Sequence, residues 1–198
     1  MNLLLGMNKK FLQRLFPPKT ASPTPSQNET LEANAECGDA ETQFKFGLHY
    51  GADGPGQNYS RAEYWYLKAA AQRHPLAHYN LGVMYGDGQC GTRDWAKSLL
   101  WIQKAANLGS APAQYHLGLR HHRAAMHRQT AAAKESEQIS QSWMDAYIWF
   151  RLAEAQHYPG AETAGNLASL NMTRQEVAEA TRRIAAFKIT IHPPEPVL

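Results

Sequence analysis

Apolar and small residues recur along this chain at helical spacing, and the same order of them returns three times. In the most regular copy Tyr79, Leu81, Gly82 and Tyr85 cluster on one helical face, and the run Gly86 to Gly91 ends that helix. A second helical pattern follows, carrying Ser98, Trp101, Lys104, Ala105 and Ala106. An earlier copy has Phe44, Phe46, Gly47 and Tyr50, the turn Gly51 to Gly56, then Ala62, Trp65, Lys68, Ala69 and Ala70. A later one has Tyr115, Leu117 and Gly118, with His121 in place of the second tyrosine, and closes on AYIWFRLAEA. Gly47, Gly82 and Gly118 are 35 and 36 residues apart, a period that marks stacked two-helix units. Glycine inside a helix costs about 1 kcal/mol relative to alanine. Its return at one internal position predicts a helix crossing too close for a methyl group.

The copies differ in informative ways. From Gly118 to Trp149 is 31 residues, against 18 and 19 in the earlier copies. An insertion of about a dozen residues therefore lies between Ala124 and Gln141 and either lengthens the helix pair or projects as a loop. Residues 160–188 lack the shared marks, but Ala161, Ala164, Leu167, Leu170, Val177, Ala180, Ile184 and Phe187 keep a helical period. They predict a degenerate last pair that caps the array. Ser60 with Glu63, and Thr173 with Glu176, predict capping boxes.

The order Ala113, Tyr115, Leu117-Gly118, and Tyr79, Leu81-Gly82, Tyr85, Gly-x-Gly, Asp94, Trp101, Lys104-Ala105-Ala106, resembles the Sel-one-like (SLR) repeat family, a relative of the tetratricopeptide repeat. The resemblance covers residues 38–158. It implies an all-α fold, a right-handed α-solenoid of about three SLR helix pairs plus the capping pair. It also implies a concave face and a role as adaptor or scaffold for other proteins. The expected organisation is repeats at 38–74, 75–109 and 110–158 and a cap at 159–188, within a solenoid spanning 31–190, and a tail at 191–198. Cysteine-rich relatives are connected with cell-wall ligands, but their within-repeat cysteine pairs are missing here, which argues against a cell-wall-directed hydrolase.

Composition changes this picture mainly at the N-terminus. The net charge is +3, yet Lys9, Lys10, Arg14 and Lys19 alone supply +4 within residues 1–19, so the body is close to neutral. The basic balance thus belongs to a tail and does not indicate nucleic-acid binding. Phe11, Leu12, Leu15 and Phe16 would share one face of a short basic helix in residues 1–16, which could rest on a membrane surface or fray. Its apolar stretch, broken by Gln13 and Arg14 and ended by Pro17-Pro18, is too short for a secretory signal. Residues 17–30 are a proline-, serine- and threonine-rich linker. Cys37 and Cys90 fit neither a zinc signature nor a disulfide framework and suggest a reducing compartment. The expectation is a monomer in the cytoplasm of a bacterium, or one peripheral to the inner membrane.

No enzyme motif is present, and no cofactor or metal is expected. Gly86-Asp87-Gly88-Gln89-Cys90-Gly91 spells GxGxxG but follows a helix, where the dinucleotide fingerprint needs a strand. His116, His121, His122 and His127 with Arg120, Arg123 and Arg128 make the third copy locally basic without metal-ligand spacing. On a helical wheel, positions opposite the recurring glycine include Lys45, Leu48 and His49, then Asn80, Val83 and Met84, then His116, Leu119, Arg120 and Arg123. In tetratricopeptide-like arrays that side lines the groove. These ten are the candidate partner-binding residues, with Leu48, Val83, Met84 and Leu119 as an apolar seat for a peptide or helix of a partner protein.

Overall fold

The structure, a computed structural model, describes residues 35–130 and 136–187. The expected N-terminal helix, the linker, the C-terminal tail and the join at 131–135 lie outside these residues. The chain divides into one unit ending at Glu36 and a second from Cys37 onward, and the fold below is that of the second.

Eight helices follow one another among the described residues: α1 Ala40–Gly51, α2 Tyr59–Ala71, α3 Pro75–Asp87, α4 Trp95–Asn107, α5 Ala111–Thr130, α6 Ser136–Glu154, α7 Ala161–Ser169 and α8 Arg174–Ala186. They form an all-α solenoid. The pairs α1/α2, α3/α4 and α5/α6 are hairpins, and the second helix of each packs on the first helix of the next. The insertion lengthens the third pair: α5 has 20 residues and α6 has 19, against 12 or 13 in the others.

The recurring glycine does what its spacing predicts. A Cβ on Gly82 would stand 2.6 Å from Ile102 Cγ1, and one on Gly118 would stand 2.5 Å from the Phe150 ring. On Gly47 it would overlap the Tyr66 ring. Tyr66, Ile102 and Phe150 are the residues directly after the repeated tryptophans, so one crossing is built three times. The alanines around it, Ala62, Ala69, Ala105, Ala106, Ala146 and Ala153, are buried and let the helices close.

The connections repeat as well. Asn58 N–H donates to Tyr50 O at 2.8 Å and Asp94 N–H to Tyr85 O at 3.0 Å, closing the turn within a pair. Between pairs, the N–H groups of His74, Ser110 and Tyr158 donate to the carbonyls of Ala69, Ala105 and Ala153 at 3.0, 2.9 and 3.1 Å. This six-residue closure needs one left-handed residue, supplied by Arg73, Gly109 and His157 at φ 67°, 88° and 57°. Only the middle copy uses glycine there.

Helix starts are fixed by side-chain caps. Asp39, Asn58 and Asp94 accept from backbone N–H groups three residues on, at 2.7, 3.0 and 2.9 Å. The Thr173/Glu176 capping box is present. The Ser60/Glu63 box is not: the helix starts at Tyr59 with Asn58 as its cap, and Glu63 instead accepts from the Tyr85 hydroxyl at 2.6 Å.

The capping helices α7 and α8 each pack on α6 and barely touch one another. Aligning Tyr158 with Ser110 and Ala161 with Ala113 puts Asn166 where Gly118 stands. With a side chain there, held by Arg151 at 2.9 Å, the close crossing is unavailable, and α8 lies on α6 instead. Ala180 is buried there, with Val177 and Ile184 half-buried beside Trp143, Tyr147 and Ile148.

Candidate interaction surface

The first helices of successive pairs adjoin one another: α1 touches α3, and Tyr79 of α3 packs on the cluster holding Ala113 and Leu117 of α5. The side turned away from the second helices carries the candidate residues, and their burial divides them sharply. Lys45, His49, His116, Arg120 and Arg123 are exposed; Leu48, Asn80, Val83 and Leu119 are half-buried. Met84 is only 3% exposed and belongs to the core. Leu119 packs on the α5–α6 core cluster. Asn80 is hydrogen-bonded to the Tyr66 hydroxyl of the preceding pair. Met84 is therefore withdrawn as a partner contact. The reason is that the wheel treats each helix alone, whereas neighbouring pairs close over part of this side.

What stays open is basic. Lys45 Nζ is 3.3 Å from Glu41, and the His49 ring stands edge-on to Tyr50 at 5.1 Å. On α5, His116, Arg120, Arg123 and His127 are all exposed and recur at i, i+4, i+7 and i+11, one per turn. Solvent reaches His116, yet protein crowds it from the sides. That desolvation, then the charges of Arg123 and Arg120, hold its imidazole below the ordinary value while Asp87 of α3 pulls it up. His122 is lowered by burial and then Arg123, its ring edge-on to Trp143 at 5.0 Å. His121 is lowered by burial against the pull of Asp145, whose carboxylate is 3.7 Å away.

Polar contacts that the sequence did not announce hold the frame of this side. Gln72 Nε2 donates to buried Gln43 at 2.8 Å, and Gln156 Nε2 to buried Gln114 at 2.8 Å, in equivalent places of the first and third pairs. The middle pair has His78 and Leu108 there, and His78 bonds the His74 carbonyl at 3.0 Å. The signal available was glutamine four residues before the glycine in two copies. The GxGxxG run is a helix stop, with Gly88 left-handed at φ 76°. Burial and Glu63 push the Cys90 thiol up to about 12, so it is a poor nucleophile there. Among the described residues no His, Cys, Asp or Glu cluster could hold a metal ion, and no helix is long and apolar enough to cross a membrane.

The Sel1 repeat family matches residues 40–74 and 75–110. Among solved structures, a Sel1 repeat protein from Oxalobacter formigenes is 30% identical, with a TM-score of 0.53 over 71% of this chain and 97% of its own. The chain belongs to the Sel1 repeat family. The antigen c5321, described as protective, present in uropathogenic Escherichia coli strains and displaying an SLR fold, superposes with a TM-score of 0.63 at 23% identity over 83% of this chain. This Sel1 chain spans 33% of the length of that antigen, so the likeness speaks for the fold alone. No curated protein matches it. The family match stops at residue 110, but the Gly118–Phe150 crossing and the Tyr158-to-Ala153 closure give the third pair the same Sel1 geometry. Sel1 repeat proteins are generally protein-interaction scaffolds without catalytic activity.

Proposed function

We propose that this Sel1 protein is a non-enzymatic adaptor that holds a peptide or helix of a partner protein along its first helices. The observation that supports this best is the partition of the repeat. The recurring glycines and alanines serve packing, whereas the exposed positions on the side facing away from the second helices vary from copy to copy: Lys45 against His116 at one place, His49 against Arg120 at another. A surface freed from packing constraints is where specificity is written. Leu48 and Val83 are the half-buried apolar side chains left to contribute contact area, with the basic residues around them.

The proposal extends to a monomer acting in the bacterial cytoplasm. Anchorage at the inner membrane through residues 1–16 is the second reading, resting on the sequence of that segment. The test is affinity capture with the full chain and with Lys45→Glu/His116→Glu, the captured proteins being identified by mass spectrometry. Partners lost from the variant support the assignment; an unchanged set of partners sinks it.

A further inference from the structure

The row His116, Arg120 and Arg123 is not required by the fold. Equivalent positions are Lys45 and His49 in α1 with Ala52 just past its end, and Asn80, Met84 and Asp87 in α3. Neither earlier helix repeats the row, so packing does not select it. Arg120 and Arg123 also find no acid within their own helix, since α5 carries none across 20 residues. Five other arginines are engaged: Arg61 on the Tyr50 hydroxyl, Arg128 on Ser142, Arg151 on Glu154, and Arg182 and Arg183 on Glu179. Among the described residues neither Arg120 nor Arg123 meets a carboxylate in an ion pair. Among the described residues two acids act on this helix: Asp87, felt at His116, and Asp145, which is taken up by His121 and by Gln141 at 2.6 Å.

Two guanidinium groups three residues apart, each exposed and with no carboxylate partner among the described residues, are matched by carboxylates at the same pitch. From His116 to His127 the row runs about 16 Å at 1.5 Å per residue, longer than one phosphate or one carboxylate could use. The near-neutral body supplies no broad positive field of the sort that draws nucleic acid or anionic lipid. A short, linear, acidic ligand fits these constraints best. We propose that the partner segment held by this protein is acidic, with carboxylates spaced one per helical turn to meet Arg120, Arg123 and His116 along α5. This rests on the adaptor reading and specifies the chemistry of its ligand.

The probe is a labelled, alanine-rich helical peptide with glutamate at every third or fourth position, compared with its glutamine counterpart by fluorescence anisotropy on the full chain. The glutamate peptide is expected to bind, and to weaken as salt is raised from about 50 to about 300 mM. Arg120→Ala/Arg123→Ala should weaken it roughly fivefold to tenfold, the scale of two exposed ion pairs. Arg174→Ala/Arg182→Ala on α8 should leave it unchanged, and circular dichroism melts verify that both variants fold. Equal binding of the two peptides, no binding up to about 1 mM, or an equal loss in the α8 variant overturns the inference. So does tighter binding of a single-stranded oligonucleotide or of phosphatidylglycerol vesicles at the same row. A natural partner retained by Arg120→Ala/Arg123→Ala but lost from Lys45→Glu/His116→Glu would overturn the acidic ligand and leave the adaptor standing.

Discussion

A methyl group on Gly82 would meet Ile102 Cγ1 at 2.6 Å, the Ser98 carbonyl oxygen at 3.1 Å and the Ile102 nitrogen at 3.2 Å. Alanine would gain about 1 kcal/mol of helix propensity there, but overpacking a fitted contact costs about 1–3 kcal/mol. Two of the three obstacles are backbone, which cannot rotate aside, so overpacking prevails. Gly82→Ala is expected to lower the urea midpoint, by about 1 kcal/mol net or more. Gly56→Ala, with nothing within 4 Å, should stay within about 0.5 kcal/mol. Equal effects of the two substitutions would refute the crossing as the reason for the repeat. The left-handed closures give a change of opposite sign. Arg73 holds φ 67° with a side chain where Gly109 holds φ 88° without one. Arg73→Gly should therefore stabilise the chain by up to about 1 kcal/mol, read from the same unfolding curves.

At the scale of the element, α5 couples its surface chemistry to stability. His116, His121 and His122 all have imidazoles held below 6.5, in each case first by burial. The unfolded chain therefore takes up protons more readily than the folded one just beneath that value. Their contribution is fully present above pH 6.5 and is lost as pH falls through it toward the folded values. Glu41 and Glu176, held below 4.5 by His74 and by Ser140 with Thr173, act in the same direction in a lower window. Stability is expected to fall between pH 7.5 and pH 5, and His116→Asn/His121→Asn/His122→Asn should flatten that slope. An unchanged slope would mean that the histidines are solvated alike in both states. The sequence made α1 to α6 legible because glycine, tryptophan and the alanine pair recur at fixed intervals and periodicity carries packing information. It misled at Met84, because one wheel cannot show what a neighbouring pair covers. It misplaced a cap at Ser60, because Asn58 lies two residues earlier and reaches the Arg61 N–H first. It was silent on the Gln43–Gln72 and Gln114–Gln156 bonds, which join residues 29 and 42 positions apart.

Among the described residues each pair packs mainly on its neighbours, so stability approximates a sum of pairs and interfaces, and the ends are its weak points. At the C-terminal end α8 does the work of a cap without completing a repeat. It lays Val177, Ala180 and Ile184 on α6, and its end brings Phe187 edge-on to Trp149 at 5.9 Å. The positions equivalent to Ile148 are Tyr64 and Leu100, which are 45% and 54% exposed on α2 and α4. Ile148 instead packs against a core cluster to which α8 contributes Ala180. A chain ended after Met172 would lose that cover. Two half-buried aliphatic side chains, one alanine and the edge of one aromatic amount to roughly 3 kcal/mol of apolar burial. The shortened chain is expected to melt at lower temperature and to bind a hydrophobic dye. Because coupling runs through adjacent pairs, hydrogen exchange should rise first in α6 and α7, then in α5, and least in α1. Exchange that rises evenly from α1 to α7 would show a single cooperative unit in place of an array. Unchanged exchange in α6 would mean that α8 does not cap it.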